Sequence, residues 1–496
     1  MTAAYATLEA RFKRLGLVNE AVAMLHWDTA TMMPDGAASA RAEQLAEIKV
    51  IAHDILADPR LADLMDDASR DGLDDWQRAN LAEMRRLWLH ATAVPADLVA
   101  AYSRACSECE MAWRKARPAN DFAAILPRLQ RVLDLTREVA AAKAAKLGVS
   151  PYEALLDQFE PGGQIAEIDR LFDHLAPLLP ALIESALAAQ AAHKPPLQPR
   201  GPFPVEAQRQ AARQLMTRLG FDFDHGRLDQ SLHPFCGGTP DDVRITTRYD
   251  EADFARALMG VLHETGHALY ERGLPAAWRR QPVGEPRGMS IHESQSLLIE
   301  MQVCRSREFV EFAAPILRER FSGSGPEWEP VNLYRLGTRV ARSLIRVDAD
   351  EVTYPAHVIL RYRLERALIS SELDLADLPD AWSEGMERLL AVTPPDDRDG
   401  CLQDIHWYDG AWGYFPTYTL GAMTAAQLFD AAKRAVPAIP SAIARGDFAP
   451  LLAWLRANVH GLGSRYSARD ILVRATGKPL DAAIFEGHLR ARYLAA

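Results

Sequence analysis

The chain has 496 residues, 48% of them hydrophobic and 25% charged, an ordinary balance for a globular protein. Its 67 acidic and 56 basic side chains leave a formal charge of −11, which excludes a basic nucleic-acid-binding surface as its organising feature. The start mixes Glu9, Arg11, Lys13 and Arg14 into a helical pattern rather than a signal peptide, and no uninterrupted apolar run of about 18 residues predicts a membrane span. The cysteines, Cys106, Cys109, Cys236, Cys304 and Cys401, are an odd and scattered set that fits free thiols in a reducing cytoplasm.

From Leu8 to about Ala192 the sequence reads as successive helices, rich in Ala, Leu, Glu and Arg at helical period. Breaks are expected near Met33-Pro34-Asp35-Gly36, Asp58-Pro59, Val94-Pro95, Arg117-Pro118 and Glu160-Pro161-Gly162-Gly163. Leu25-His26-Trp27-Asp28 interrupts the first helical region and reads as a packed Trp beside a satisfied Asp. Cys106 and Cys109 lie one turn apart on a helix, with no second Cys or His pair at ligand spacing nearby.

Lys194 to Pro204 is a Pro-rich rigid connector. Length alone allows about three domains, but the reading adopted is one domain over 1–496, with helical lobes 1–193 and 205–496 on either side of connector 194–204. Helix resumes over Val205–Leu219. From Phe221 to Tyr249 the period changes: Phe221-Asp222-Phe223-Asp224 and Asp242-Val243-Arg244-Ile245-Thr246 alternate, with a turn expected at Gly237-Gly238. A small antiparallel sheet is expected here, in an otherwise mainly α, bundle-like fold. On the last of these strands Asp242, Arg244 and Thr246 share a face, so Asp242 can hold the Arg244 guanidinium in a direction suited to binding a carboxylate, a solvated cross-strand ion pair being the equal alternative.

The next segment, Val261 to Tyr270, carries His263-Glu264-x-x-His267 in a helix predicted to be capped by Asp250 and stopped by Gly273 and Pro275. Two His at i and i+4 project from one face and suit one tetrahedral Zn²⁺. Glu264 lies beside them, placed to take a proton from a water on the metal. Phe254, Leu258, Val261, Leu262 and Leu269 cover more than one side of the helix, which predicts burial, and buried titratable groups need a partner that a metal supplies.

A catalytic zinc usually has three protein ligands. The metzincin pattern would need a Gly at 270 and a His at 273, where this chain has Tyr270 and Gly273, and the inverted HxxEH order is absent. The third ligand is therefore sought in Ser290-Ile291-His292-Glu293-Ser294-Gln295, with Glu293 preferred, His292 open, and a Ser290–Glu293 capping box the non-functional reading.

Farther on, Ile345 to Glu351 is expected to begin a long helix. Arg346, Asp350, Tyr354, His357 and Arg361 form a polar stripe along it, usually a solvated face with i,i+4 pairs, and Pro355 predicts a kink that makes a cavity-lining role more credible. Gly400 to Trp407 and Trp412 to Tyr418 make a Gly-containing loop dense in His, Trp and Tyr, which suits a binding surface with an oxyanion-stabilising Tyr or His.

Taken in order, His233-Pro234-Phe235, Asp242-x-Arg244-x-Thr246, His263-Glu264-x-x-His267, His292-Glu293-Ser294-Gln295, Ile345-Arg346-x-x-Ala349-Asp350-Glu351 and Gly400-x-x-Gln403-Asp404-x-His406-Trp407 resemble the carboxypeptidase Taq family of metallocarboxypeptidases. Trp27-Asp28, Met33-Pro34, Gly413 to Tyr418 and Ala475-Thr476-Gly477 extend the likeness over nearly the whole chain. The resemblance implies a cytoplasmic, mostly helical homodimer with a deep groove over one divalent metal per chain, zinc first and cobalt or another ion as alternatives. It implies removal of residues from the free C-terminus of peptides, with broad specificity and poor cleavage beside Pro. No nucleic acid or membrane partner is implied.

Residue by residue, the resemblance makes His263, His267 and Glu293 the ligands and Glu264 the general base. His406 and Tyr414 then assist the transition state, and Arg346, Arg244, His233 and Gln295 contact substrate. A stricter form of the fifth motif has a further Arg where this chain has Leu344, which leaves the choice between Arg346 and Arg244 open. The competing readings are a metallo-oligopeptidase or endopeptidase on a similar scaffold, and a non-catalytic peptide-binding protein.

Overall fold

The structure is a computed structural model that describes residues 3–70 and 72–494; Met1, Thr2, Asp71, Ala495 and Ala496 lie outside the described residues. The fold is mainly α, with one small sheet in the middle of the sequence. The first helix, Ala3–Thr31, runs unbroken through Leu25–Asp28, since the polar residues there find partners without leaving the helix. Trp27 is buried and Asp28 pairs with Arg41 at 2.7 Å.

Helices end near Pro34, Pro59 and Pro95 as their sequence predicts. Pro118 does not break its helix: it sits in the last turn of Ala96–Ala119, and the stop is Asn120, in left-handed conformation at φ 55°. A further break precedes Asp75, where Asp74 and Gln77 form a reciprocal capping box. One stretch, Ile165–Ala191, is by length and composition apolar enough to cross a membrane, although Asp173 and Glu184 interrupt its apolar run. It folds as two helices, Ile165–Leu175 and Leu179–Ala191, whose Leu171, Phe172, Leu175, Leu182 and Ile183 are buried in the protein core.

The main apolar core draws on residues from Ala105 to Tyr493 and so crosses connector 194–204. A separate, smaller cluster from Tyr5 to Met84 holds the N-terminal helices together. The connector is pinned by Asn332, whose side chain accepts from Leu197 N and donates to Leu197 O, each at 2.8 Å.

The sheet has strands β1 (Gly226–Gln230), β2 (Phe235–Thr239) and β3 (Asp242–Thr247) in the order β1-β3-β2. β2 pairs antiparallel with β3, but β1 pairs parallel with it, so the sheet is mixed rather than antiparallel. The chain goes out to the far edge in β2 and returns through the centre, and two reversals restore the direction of β1. Phe221–Asp224 lies before the sheet, and Gly237 and Gly238 sit inside β2, the reversal falling at Pro240-Asp241. Gly238 is needed in the strand because its φ is +85° and a Cβ there would stand 2.1 Å from Asp242 O.

Val243 and Ile245 are buried on the face opposite Arg244, as the alternation predicts, and β3 packs on the helix Phe254–Gly273 that carries the HExxH motif. That helix is capped by Asp253, which accepts from Ala255 N and Arg256 N, whereas Asp250 closes the turn before it. Its neighbour is the helix Gly288–Leu297, continued by a π-helical turn Leu298–Cys304. The two approach closely at Gly266, where any Cβ would come within 2.4 Å of Gln295 O. From the other side, the helix Pro416–Ala435 reaches Glu293 through Gly421, where a Cβ would meet Glu293 Cβ at 2.8 Å. Small residues at these contacts let three helices crowd round one carboxylate.

Candidate active site

Three side chains meet at the centre of this packing. Glu293 Oε1 lies 4.0 Å from His263 Nε2, and Glu293 Oε2 lies 3.6 Å from His267 Nε2. One donor atom from each of the three falls within 4.8 Å of the others, a spacing that a small contraction turns into the edges of a metal tetrahedron. Ser290 lies inside its helix, with its N–H donating to Glu160 rather than closing a capping box, so Glu293 is free to face the histidines.

Both imidazoles are steered from behind. His263 Nδ1 lies 3.0 Å from Glu300 Oε2, while Glu300 Oε1 accepts from Arg305 at 2.7 Å. His267 Nδ1 lies 2.7 Å from His292 Nδ1, and His292 Nε2 lies 2.9 Å from Glu271 Oε1. Both ring nitrogens of His292 are thus engaged, one with His267 and one with Glu271. With each Nδ1 engaged, the Nε2 atoms turn inward, the arrangement in which carboxylate-backed histidines hold a metal. The donor set thus fits a divalent ion on geometry alone.

The electrostatics agree. Burial lowers the pKa of His263, but Glu300, Glu293 and Glu264 more than reverse this and push it up to about 10, so an entering ion displaces a proton. Burial, with His292 and His263 adding to it, holds His267 well below its ordinary value and keeps it neutral. Glu264 is pushed up to about 7, first by burial, with His263 opposing and Glu293 adding to the rise. Glu300→Gln is expected to weaken metal affinity about 10–100-fold, read by competition with a calibrated chelator; unchanged affinity would remove Glu300 from any orienting role.

Next to the donors stands a buried basic and aromatic array. The segment before the helix Tyr354–Ser370 is a short 3₁₀ turn, Arg346–Asp348, and then a loop in which Asp350 caps Val352 N and Thr353 N. The expected helix from Ile345 thus starts only at Tyr354, with Pro355 in its first turn, where its missing N–H costs nothing and no kink follows. Arg346 donates to Asp404 Oδ1 through Nε at 3.0 Å and Nη2 at 2.9 Å, and Arg361 Nε donates to Asp404 Oδ2 at 2.5 Å. Arg361 and His357 are fully buried, so the polar stripe of this segment faces inward. One carboxylate balances two guanidiniums, which leaves a net positive charge in the array. Burial raises the pKa of Glu293, with His263 and His292 opposing it ahead of Arg346, and burial likewise raises those of Tyr354, Tyr414 and Tyr418, with Glu293 adding to each rise.

Within it, the Arg346 guanidinium lies over the Tyr418 ring at 4.6 Å, and His406 Nε2 is 3.1 Å from Tyr418 Oη. The Tyr414 ring packs 5.5 Å from His406 and 5.1 Å from Tyr418. Burial, reinforced by Arg346, pushes His406 down to about 3, so it is a neutral imidazole at physiological pH.

Arg244 stands on the sheet, gripped by Asp242 at 3.0 and 2.6 Å and stacked on Trp27 at 4.2 Å. The sequence pairing of Asp242 with Arg244 is seen directly; the Trp27 contact, 217 positions away, is not legible locally. His233 is exposed in the loop between β1 and β2. Gln295 is turned away from the donors, accepting from His460 at 3.0 Å and donating to Ser294 at 2.8 Å. Sequence reasoning missed Glu271, Glu300, Tyr418 and the sharing of Asp404. Two of them carried a signal: Glu271 follows His267 by one helical turn, and Glu300 follows Glu293 by two.

The family model for carboxypeptidase Taq (M32) metallopeptidases matches residues 7–493. The chain belongs to this family. Thermostable carboxypeptidase 1 of Thermus thermophilus is 40% identical over 487 residues, covering 95% of each chain, and carboxypeptidase 1 of Bacillus subtilis is 34% identical over 488 residues, covering 97% of this chain and 96% of its own. Among solved structures, metallocarboxypeptidase 1 of Trypanosoma cruzi superposes with a TM-score of 0.97 at 40% identity, covering 99% of both chains. The M32 carboxypeptidase of Deinococcus radiodurans gives 0.93 at 36%, again over 99% of both. The protein is thus an M32 metallocarboxypeptidase, a peptide hydrolase that works with a divalent metal.

Proposed function

We propose that this M32 carboxypeptidase releases C-terminal residues from peptides with broad specificity, using His263, His267 and Glu293 to hold a zinc ion. The observation that carries this reading is the cluster of three metal donors, His263, His267 and Glu293, with the carboxylate of Glu264 on the same helix as the two histidines. When bound, the ion supplies Lewis acidity that makes an attacking water acidic and polarises the scissile carbonyl.

Glu264 takes the proton from the attacking water and returns it to the leaving amine, acting as base and then as acid. Neutral His406 and the hydroxyls of Tyr414 and Tyr418 donate to the developing oxyanion. Arg346, fixed by Asp404, takes the substrate's terminal carboxylate and so sets where the chain is cut. Arg244, equally fixed but on the sheet, serves the substrate farther from the cut, as does exposed His233 in the loop between β1 and β2. Gln295 supports the helix packing through His460 rather than touching substrate. A homodimer in the cytoplasm completes the proposal, supported by the family resemblance and by five unbonded cysteines.

Stripping the enzyme with chelator and titrating metals back is the test. One zinc per chain should restore full turnover, with His263→Ala neither retaining nor recovering it. Full turnover in the stripped enzyme, or undiminished zinc in His263→Ala, would contradict the ligand assignment.

A further inference from the structure

Away from the active site, a cavity of about 230 Å³ opens between the start of the helix Arg307–Arg320, the end of Pro416–Ala435 and the C-terminal helix Ala482–Tyr493. Four basic side chains line it, Arg307, Lys433, His488 and Arg492, against one acid, Glu308. His488 and Arg492 share a single buried carboxylate, Glu351, at 2.8 and 3.0 Å. Arg307 and Lys433 make no ion pair among the described residues and are held instead by ring faces, Arg307 over Tyr334 at 4.3 Å and Lys433 over Phe429 at 4.6 Å. In a chain with 67 acids and a charge of −11, two cations without a direct ion pair at one concavity, facing a single lining acid, leave the site with an excess of positive charge.

Other groups point the same way. Ser306 Oγ accepts from Phe309 N at 3.1 Å, which leaves its hydroxyl proton free to donate into the cavity it lines. Burial lowers the Lys433 pKa; Asp430 and Glu308 pull it back up, and Arg492 pulls it further down. A bound anion would relieve both the burial cost and the repulsion. Arg492 also donates to Met301 O and, at 3.1 Å, to Gln302 O, carbonyls of the π-helical turn that carries Glu300.

We propose that this cavity is a binding site for a small oxyanion of the phosphate or carboxylate class, held by Arg307, Lys433 and Arg492 with Ser306 donating. The volume suits an ion the size of phosphate or a small di- or tricarboxylate. The test is isothermal titration of inorganic phosphate, and separately of citrate, into the zinc-loaded enzyme and into its Lys433→Met and Arg307→Met variants. At least one of the two anions should bind saturably, at least tenfold more weakly in each variant, and the tighter of them identifies the class. Peptide turnover without added anion should be equal in all three proteins, which excludes misfolding as the cause. No saturable binding of either anion, or equal affinity in the variants, would overturn the proposal, the second result placing the bound ion elsewhere on the protein.

Discussion

Glu264→Gln is expected to lower kcat by about 10²–10⁴-fold while zinc stays bound at one ion per chain. Gln keeps the size of the side chain and its burial, but it cannot take a proton from water. None of the three donor atoms belongs to residue 264, so the ion should remain. KM should change little, because Glu264 is assigned to proton movement and not to the terminal carboxylate. The measurement is steady-state kinetics beside metal analysis of the same preparation. Retained turnover would remove Glu264 from the mechanism; lost zinc would make it a structural part of the metal site.

Asp404→Asn is expected to cost about 3–5 kcal/mol of stability, the largest loss from any single isosteric change in the site. The substitution leaves Arg346 and Arg361, both buried, without their shared counter-charge. Burial raises the Asp404 pKa, but Arg346 and then Arg361 outweigh it and hold the carboxyl far below its ordinary value. A carboxylate whose folded pKa lies below its unfolded one stabilises the fold above the unfolded value, about 3.9, and that stability is lost as pH falls toward the folded pKa. The gap between wild type and variant should therefore be full at pH 7 and shrink below about pH 4. Chemical denaturation across that range reads it; a gap that is small at pH 7 or independent of pH would show that Asp404 does not carry the two charges. In the folded variant, the KM for free-acid peptides should rise, since Arg346 loses the carboxylate that aims it.

What the sequence made legible follows from how local each signal is. The metal motif, its helix stop at Gly273 and the choice of Glu293 depend on spacing within one or two helices, and helical geometry converts that spacing into shared faces. The Asp242–Arg244 pairing is legible for the same reason, because alternate residues of a strand share a side. The order β1-β3-β2 is a tertiary outcome, and alternation alone cannot distinguish a parallel neighbour from an antiparallel one. Polarity misled at Asp250, three residues ahead of the true cap, because both Asp residues close turns and only backbone geometry selects Asp253. The late helix start at Tyr354 was hidden because a 3₁₀ turn and an Asp-capped loop keep nearly helical spacing. Trp27 beneath Arg244 and the sharing of Asp404 join segments far apart in the chain, and no local pattern encodes them.

The most direct test of the central claim is cleavage of an N-blocked peptide with a free C-terminus beside its C-amidated twin, each with and without chelator and then with metal restored. The assignment of Arg346 to the terminal carboxylate and of His263, His267 and Glu293 to the ion predicts stepwise loss of residues from the free-acid peptide alone, stopped by chelator and recovered with zinc. Internal cuts in both peptides at similar rates would contradict it, reducing Arg346 and Arg244 to structural ion pairs.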